Sequence, residues 1–271
     1  MTMRLSVRHE TRYTYEKPVS YSIQRLHLTP PAFASQRVIS WSIDAPGIET
    51  ALRYTDGFGN MVQLVTALGR FDTLTFVAEG EIDCTDSAGV VRGLICPVPD
   101  AVFLRQTRFT QATPEIRAFA DSVKKAAGDP LDLLHRLMSA IRERVDFAAG
   151  TTNADTMAGE AFIKGKGVCQ DHAHIFLSAA RHLGIPARYV SGYLATGAEF
   201  TSTASHAWAE GHVPNLGWVG FDAANDTCPT DLYARVATGL DASGVVPVLG
   251  SRRGGHNEDM IVAVTVRAVA I

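Results

Sequence analysis

The sequence predicts an α+β protein. An N-terminal antiparallel β-sandwich-like domain is expected over residues 1–100, and a core of helices and an antiparallel sheet over 101–271. Three observations lead there. The first hundred residues alternate with period two. Two helix starts carry proline at their first position. Beyond Gly167, a helix with one apolar face is followed by strand-like segments.

Leu5, Val7, Tyr13 and Tyr15 share one phase, while Arg4, Ser6, Arg8, Glu10 and Arg12 share the other. That is a strand with one wet face. Ile39, Trp41 and Ile43 alternate with Ser40 and Ser42 in the same way. Asp56-Gly57-Phe58-Gly59-Asn60 signals a turn, with Met61 to Leu68 as the returning strand, and Leu74 to Ile82 supplies another. Short strands at regular spacing suggest a sandwich. His9 and His27 lie on these segments and read as structural.

Pro97 and Pro99 end the module. Thr113-Pro114-Glu115 starts a helix whose apolar positions are Ile116, Phe119, Ala120, Val123 and Ala127, with Gly128 as its stop. Asp129 caps a second helix, with Pro130 at N1. Leu131, Leu134, Leu137, Met138, Ile141 and Val145 form its stripe, and His135 lies off it in solvent. A short helix is expected over 156–163. The Gly-Lys-Gly at 165–167 lacks the spacing of a phosphate loop. The segment Gly239 to Gly255 reads as a lid-like loop or a connection, and Met260 to Ala270 as a last strand.

Composition narrows the function. Hydrophobic residues make up 46% and charged residues 20%, the profile of a soluble globular protein. Lys and Arg number 25 against 28 Asp and Glu, and no basic run occurs, so nucleic acid is not an expected partner. Apolar runs fall short of the ~20 residues of a membrane helix. The first residues lack the apolar stretch of a signal peptide, so a cytoplasmic location and no membrane partner are expected. Cys84, Cys96, Cys169 and Cys228 form no C-x-x-C pair.

Cys169 differs from the other three. Offsets of 4, 7, 8 and 11 from it reach Ala173, Phe176, Leu177 and Ala180, so it sits in the first turn of a helix on the buried face. The positive end of a helix, with a histidinium beside it, can turn a weak thiol into a nucleophile. Downstream, SHAWAEGHVPNLGWVGFDAAND reads as a hairpin turning at Pro214–Gly217. His206, Trp208 and Glu210 share one face of its first strand. Trp218, Gly220 and Asp222 share one face of the second. His206 and Asp222 then lie near the far ends of the hairpin, where a carboxylate can orient an imidazole whose other nitrogen meets Cys169. His172 and His174, two apart, point about 200° apart around a helix and cannot chelate one ion from it. No metal and no cofactor are expected. Trp208 and Trp218 read as packing, Glu210 and His212 as polar neighbours of the cleft, and Arg188 as half of a structural ion pair.

The segments Gly167-Val168-Cys169-Gln170-Asp171-His172-Ala173-His174, Gly184–Tyr193, Ser205-His206-Ala207-Trp208-Ala209-Glu210 and Gly217-Trp218-Val219-Gly220-Phe221-Asp222 together resemble the transglutaminase-like superfamily of papain-type cysteine enzymes, in its bacterial branch. HETRYTYEKPVSYS and DGFGN resemble the β-rich domain that precedes the core in that branch. The resemblance implies a papain-like core, with Cys169 as nucleophile, His206 as general base and acid, and Asp222 as orienter. Family members commonly carry Pro-Thr after that aspartate. Here Ala223-Ala224-Asn225-Asp226 stands there, which makes Asp226 the reserve orienter. The implied chemistry is acyl transfer from a peptide or protein amide through a thioester; hydrolysis is favoured over transamidation because water is always present and no calcium-site motif occurs, and a binding module that keeps the fold without catalysis is the rival outside enzymes. The Cys169 N–H is the natural first oxyanion donor, and Gln170 and Asn153 are candidates for the second.

Overall fold

The structure is a computed structural model and describes residues 2–196, 199–202 and 205–271. In chain order, β1 (Thr2–Leu26), β2 (Gln36–Asp44), β3 (Leu52–Thr55), β4 (Met61–Thr85) and β5 (Val90–Val91) come first. Helices α1 (Pro114–Lys124) and α2 (Pro130–Arg144) follow, then β6 (Asp146–Phe147), α3 (Ala158–Lys164), β7 (Lys166–Gly167) and α4 (Cys169–His182). The remainder is β8 (Ala187–Leu194), β9 (Glu199–Ser202), β10 (His206–Val213), β11 (Gly217–Phe221), β12 (Tyr233–Gly239), β13 (Val248–Gly254) and β14 (Glu258–Ala270).

The fold is α+β, with two antiparallel sheets and a small parallel pair, β6 with β7. One has the order β2-β4-β1-β14-β9, with β13 also on β1 and β3 also on β4. The other has the order β12-β8-β10-β11-β5. Alternation predicted the strands of the first sheet well. Leu5, Val7, His9, Thr11, Tyr13 and Tyr15 are all buried along β1. What alternation did not show is strand length. β1 and β4 each run 25 residues, pairing from Thr2 with Thr85 to Leu26 with Gln63, with a register break between Thr14 and Val19 around Pro18. A proline cannot donate to the ladder, so the strand bends there and continues.

The expected division at residue 100 cuts across both sheets. β14 pairs with β1 along its length, from Met3 with Ala270 to Tyr15 with Glu258. β13 pairs with the second half of β1, from Val19 with Gly254 to Leu26 with Val248. The segment read as a lid-like loop is therefore a short 3-10 turn followed by β13 in the first sheet. Conversely, β5 from the first hundred residues extends the second sheet through Trp218 and Val219 of β11. The physical reason is shared burial. Leu5, Val7 and Ile82 of the first sheet and Val264 and Val266 of β14 lie in one apolar core with Phe176 and Tyr193. A second core, around Tyr13, Tyr15, Leu26, Leu74 and Phe76, belongs to the first sheet alone.

The helix starts are where the sequence places them. Thr113 caps α1 and Asp129 caps α2, each with proline at its start, and Asp129 accepts from the Asp132 N–H at 2.9 Å. Helix α4 is buried on every side from Asp171 to Arg181. Its last turn is held by Arg181, which donates to the carbonyls of Phe103 at 3.0 Å, Ala187 at 2.8 Å and Leu240 at 2.6 Å. Under the second sheet, Glu210 lies between Arg188, at 2.7 Å, and Arg235. Arg188 also stacks on the Trp218 ring at 4.1 Å. The ion pair expected of Arg188 is present. Glu210 is its partner and lies in this buried network rather than beside the cleft. His212 faces Asp100 at 3.3 Å, also away from the cleft.

Glu210→Gln leaves two buried guanidinium groups without their shared counter-charge. A loss of about 3–5 kcal/mol is expected, read as a lower urea midpoint at unchanged slope.

Candidate active site

Cys169 is the first residue of α4, half-buried. The backbone is delivered there through Gly167, where a Cβ would lie 2.6 Å from the Asp171 Cβ. That close approach lets Asp171 Oδ2 accept from the Val168 N–H at 2.7 Å and from Thr152 Oγ1 at 2.6 Å. Asp171 thus caps the helix from its third position and adds a negative charge at the positive end. The Cys169 N–H is among the first-turn donors that a helix leaves without an intrahelical acceptor.

His206 opens β10, paired with Gly192 of β8. Asp222 follows β11. The hairpin register pairs Val213 with Gly217 and Ala209 with Phe221, so His206 and Asp222 are not cross-strand partners, yet their side chains meet beyond the paired segment. His206 Nε2 lies 2.7 Å from Asp222 Oδ2. Cys169 lines the same cleft as His206 and acts on its ring. Cys169, His206 and Asp222 are therefore brought together as the sequence suggested. Burial alone would lower the His206 pKa. The bonds to Asp222 and Cys169, and their charges, outweigh it and hold His206 up to about 10. Burial would likewise raise Asp222. The bond and charge of His206, with Asn225 and Tyr233, outweigh it and keep the carboxylate below its ordinary range.

Asp222 carries a larger set of partners than its motif indicates. Oδ2 also accepts from Tyr233 Oη at 2.9 Å and Asn225 Nδ2 at 2.7 Å, and Oδ1 from the Ala224 N–H at 3.0 Å. Sequence reasoning missed Tyr233, which stands 11 positions on with no pattern to mark it. Burial, then the Asp222 charge, lifts its phenol well above the usual tyrosine range, so it stays a donor. Asn225 was visible only as part of the unusual Ala-Ala-Asn-Asp stretch. The Asp222 N–H donates to the Thr227 carbonyl at 2.9 Å, which curls this stretch back and brings the Asn225 amide onto the carboxylate. Asp226, the reserve orienter, instead accepts from Ser139 Oγ at 2.7 Å. Of the oxyanion candidates, Gln170 turns its amide to the Ala154 carbonyl at 3.3 Å, and the Asn153 side chain accepts from the Asp155 N–H at 2.9 Å. Neither lines the cleft.

The flanking histidines hold structure. His172 places its ring nitrogens 2.9 Å from the Val168 and Val145 carbonyls. His174 Nε2 accepts from the Ala242 N–H at 3.1 Å, and burial pushes its pKa down to about 4. His9 and Thr11 join Tyr193 at the back of the site, with His9 Nδ1 3.0 Å from Tyr193 Oη. Trp208 packs under His206, with ring centroids 6.2 Å apart, and Tyr233 meets its face edge-on.

Cys169 and His206 open into a cleft of about 670 Å3. One wall comes from the β6 region, with Phe147 and Gly150, and another from Tyr193 and Leu194 of β8. Val264 and Val266 of β14 form a third, so the first sheet shapes the cleft.

Two family models match this chain: the transglutaminase-like superfamily core over residues 117–223 and the bacterial transglutaminase-like N-terminal region over 5–83. The chain belongs to the transglutaminase-like superfamily. This transglutaminase-like chain is 28% identical to the uncharacterized protein ML0607 of Mycobacterium leprae, over 97% of its own length and 98% of the relative's. It is also 28% identical to a protein-glutamine gamma-glutamyltransferase of Pseudomonas aeruginosa. That match takes in 47% of this chain and only 20% of the relative. A solved Cytophaga hutchinsonii structure, provisionally named a cysteine protease, shares the fold with a TM-score of 0.77 at 20% identity, over all of this chain and 92% of its own.

The folded His206 pKa lies above the ordinary value of 6.5, so the protonated ring adds stability that is fully present below 6.5 and is lost as pH rises towards about 10. The unfolding free-energy difference between the wild type and His206→Ala is expected to shrink across that window in denaturant titrations at stepped pH.

Proposed function

We propose that this protein is a cysteine-dependent amide hydrolase, a peptidase in substrate class, working through Cys169, His206 and Asp222. One observation carries the reading: Asp222 holds His206 by Nε2 at 2.7 Å in a cleft that is also lined by Cys169, the first residue of a buried helix.

The chemistry follows from those atoms. The Cys169 thiolate attacks the amide carbon, and negative charge gathers on the carbonyl oxygen, where the Cys169 N–H donates. The C–N bond breaks as the His206 imidazolium gives its proton to the departing amine. A thioester to Sγ remains. His206, now neutral, takes a proton from water, whose oxygen attacks the thioester carbon. The C–S bond then breaks, releasing a carboxylic acid and restoring the thiolate. Asp222 keeps the ring oriented and stabilises its charge in both halves. Transamidation is the second reading, since an amine in place of water discharges the same thioester. The name of the Pseudomonas relative favours it, while the cleft's openness to water favours hydrolysis.

Alkylation by iodoacetamide against pH, read per cysteine by peptide mass spectrometry, tests the reading. Burial raises Cys84 to about 12 and Cys228 to about 11, so both serve as slow internal controls. Cys169 is expected to label fast at neutral pH and to lose that advantage in His206→Ala. Labelling no faster than the controls, or indifferent to His206, rejects an activated pair. With a peptide substrate in hand, Cys169→Ala is expected to abolish turnover and Asp222→Asn to lower kcat/KM on the order of a thousandfold. Incorporation of a labelled amine instead of acid release would decide for transamidation.

A further inference from the structure

We propose that Arg142 is the anchor for a carboxylate on the substrate, so that the amides accepted here carry an anion close to the scissile bond. The inference rests on the reading of Cys169 as nucleophile and adds the substrate's charge to it.

Arg142 lies in the last turn of α2, half-buried, and lines the cleft together with Cys169 and His206. Among the described residues lining it, Arg142 is the one with a permanent charge, and no acid stands on the wall. The lining is apolar at Phe147, Leu194 and Val264 and polar at Ser205 and Asn225. An apolar wall strips water from a guanidinium without replacing its hydrogen bonds, which sharpens its preference for an anion.

Several arginines elsewhere in the chain are already engaged. Arg136, on the same helix, holds Asp132 at 2.8 Å; Arg4 and Arg37 share Asp83; and Arg188 and Arg235 share Glu210. Arg142 has no ion pair or hydrogen bond to any described residue. The acids around the triad are committed: Asp222 to His206, Tyr233 and Asn225, Asp226 to Ser139, and Asp171 to the Val168 N–H and Thr152. The cleft therefore offers a fork of donors suited to a carboxylate, with no acid among the described residues that line it.

Two alkylating agents of similar size separate this proposal from the reading beneath it. Iodoacetamide is neutral and iodoacetate carries a carboxylate. In the wild type, the iodoacetate-to-iodoacetamide rate ratio at Cys169 is expected to fall about 3- to 10-fold in Arg142→Gln and further in Arg142→Glu, with the iodoacetamide rate unchanged. High salt should narrow the wild-type ratio. The source of the carboxylate comes from protection of Cys169 by random tetrapeptide pools. One pair of pools differs in a free or amidated C-terminus, the other in Glu or Gln side chains. The acidic member of one pair is expected to protect better in the wild type and to lose that advantage in Arg142→Gln. Fast iodoacetamide labelling with a ratio indifferent to Arg142, or acidic pools that protect no better than their neutral twins, overturns the anchor alone. Slow iodoacetamide labelling overturns the nucleophile reading and the anchor with it.

Discussion

Helix α4 is buried from Asp171 to Arg181, and the rest of the molecule is arranged to cover it. A helix with no solvent face needs apolar surface all round, and no single sheet supplies that. β8 and β10 cover one side, while α1, α2 and α3 cover others. The first sheet closes over the same core through Leu5, Val7, Ile82 and Val266. The polar ends of such a helix are where its unsatisfied backbone groups must be met. At the C-terminal end the N–H groups of Leu183, Ile185 and Gly184 meet the Ala179, Ala180 and Arg181 carbonyls, while the Arg181 guanidinium ties in three carbonyls from separate segments. At the N-terminal end Asp171 caps from within, and Val168 and Cys169 line the cleft.

The second sheet carries the other half of the site for a reason of its own. Its central strand, β10, buries Glu210 between two arginines midway along and presents His206 at its start. The ion cluster and the packing of Trp208 against Tyr233 hold the strand, and so the imidazole, rigidly against α4. Asp222 is then fixed by four donors rather than one, which keeps its charge and its direction despite burial. Orientation of the base does not rest on the His206 contact alone. This is the kind of supporting shell that keeps a reactive geometry from loosening.

The first sheet has two roles. Its own core, around Phe76 and Leu26, makes it self-supporting. Its other half is part of the wall over Cys169, through Val264 and Val266. A C-terminal strand that returns to pair with β1 ties the two functions together, since β14 is at once the neighbour of the first strand and a side of the cleft.

By itself the sequence determined the local facts. Period-two burial marked β1, Pro114 and Pro130 marked the helix starts, and the spacing after Cys169 put that thiol in a first helical turn. Resemblance of four ordered segments brought Cys169, His206 and Asp222 into one hypothesis. These are legible because they depend on dihedral preference and on the burial period of a single element. Tertiary structure alone decided the rest. It sent residues 248–270 to the first sheet, turned Asp226 to Ser139 and brought Tyr233 onto Asp222. It also put Glu210 under the sheet and set Arg142 on the cleft wall with no ion pair to any described residue. Each of these is a contact between elements far apart in the chain. Periodicity says which face of an element is buried, but only packing chooses the partner that buries it.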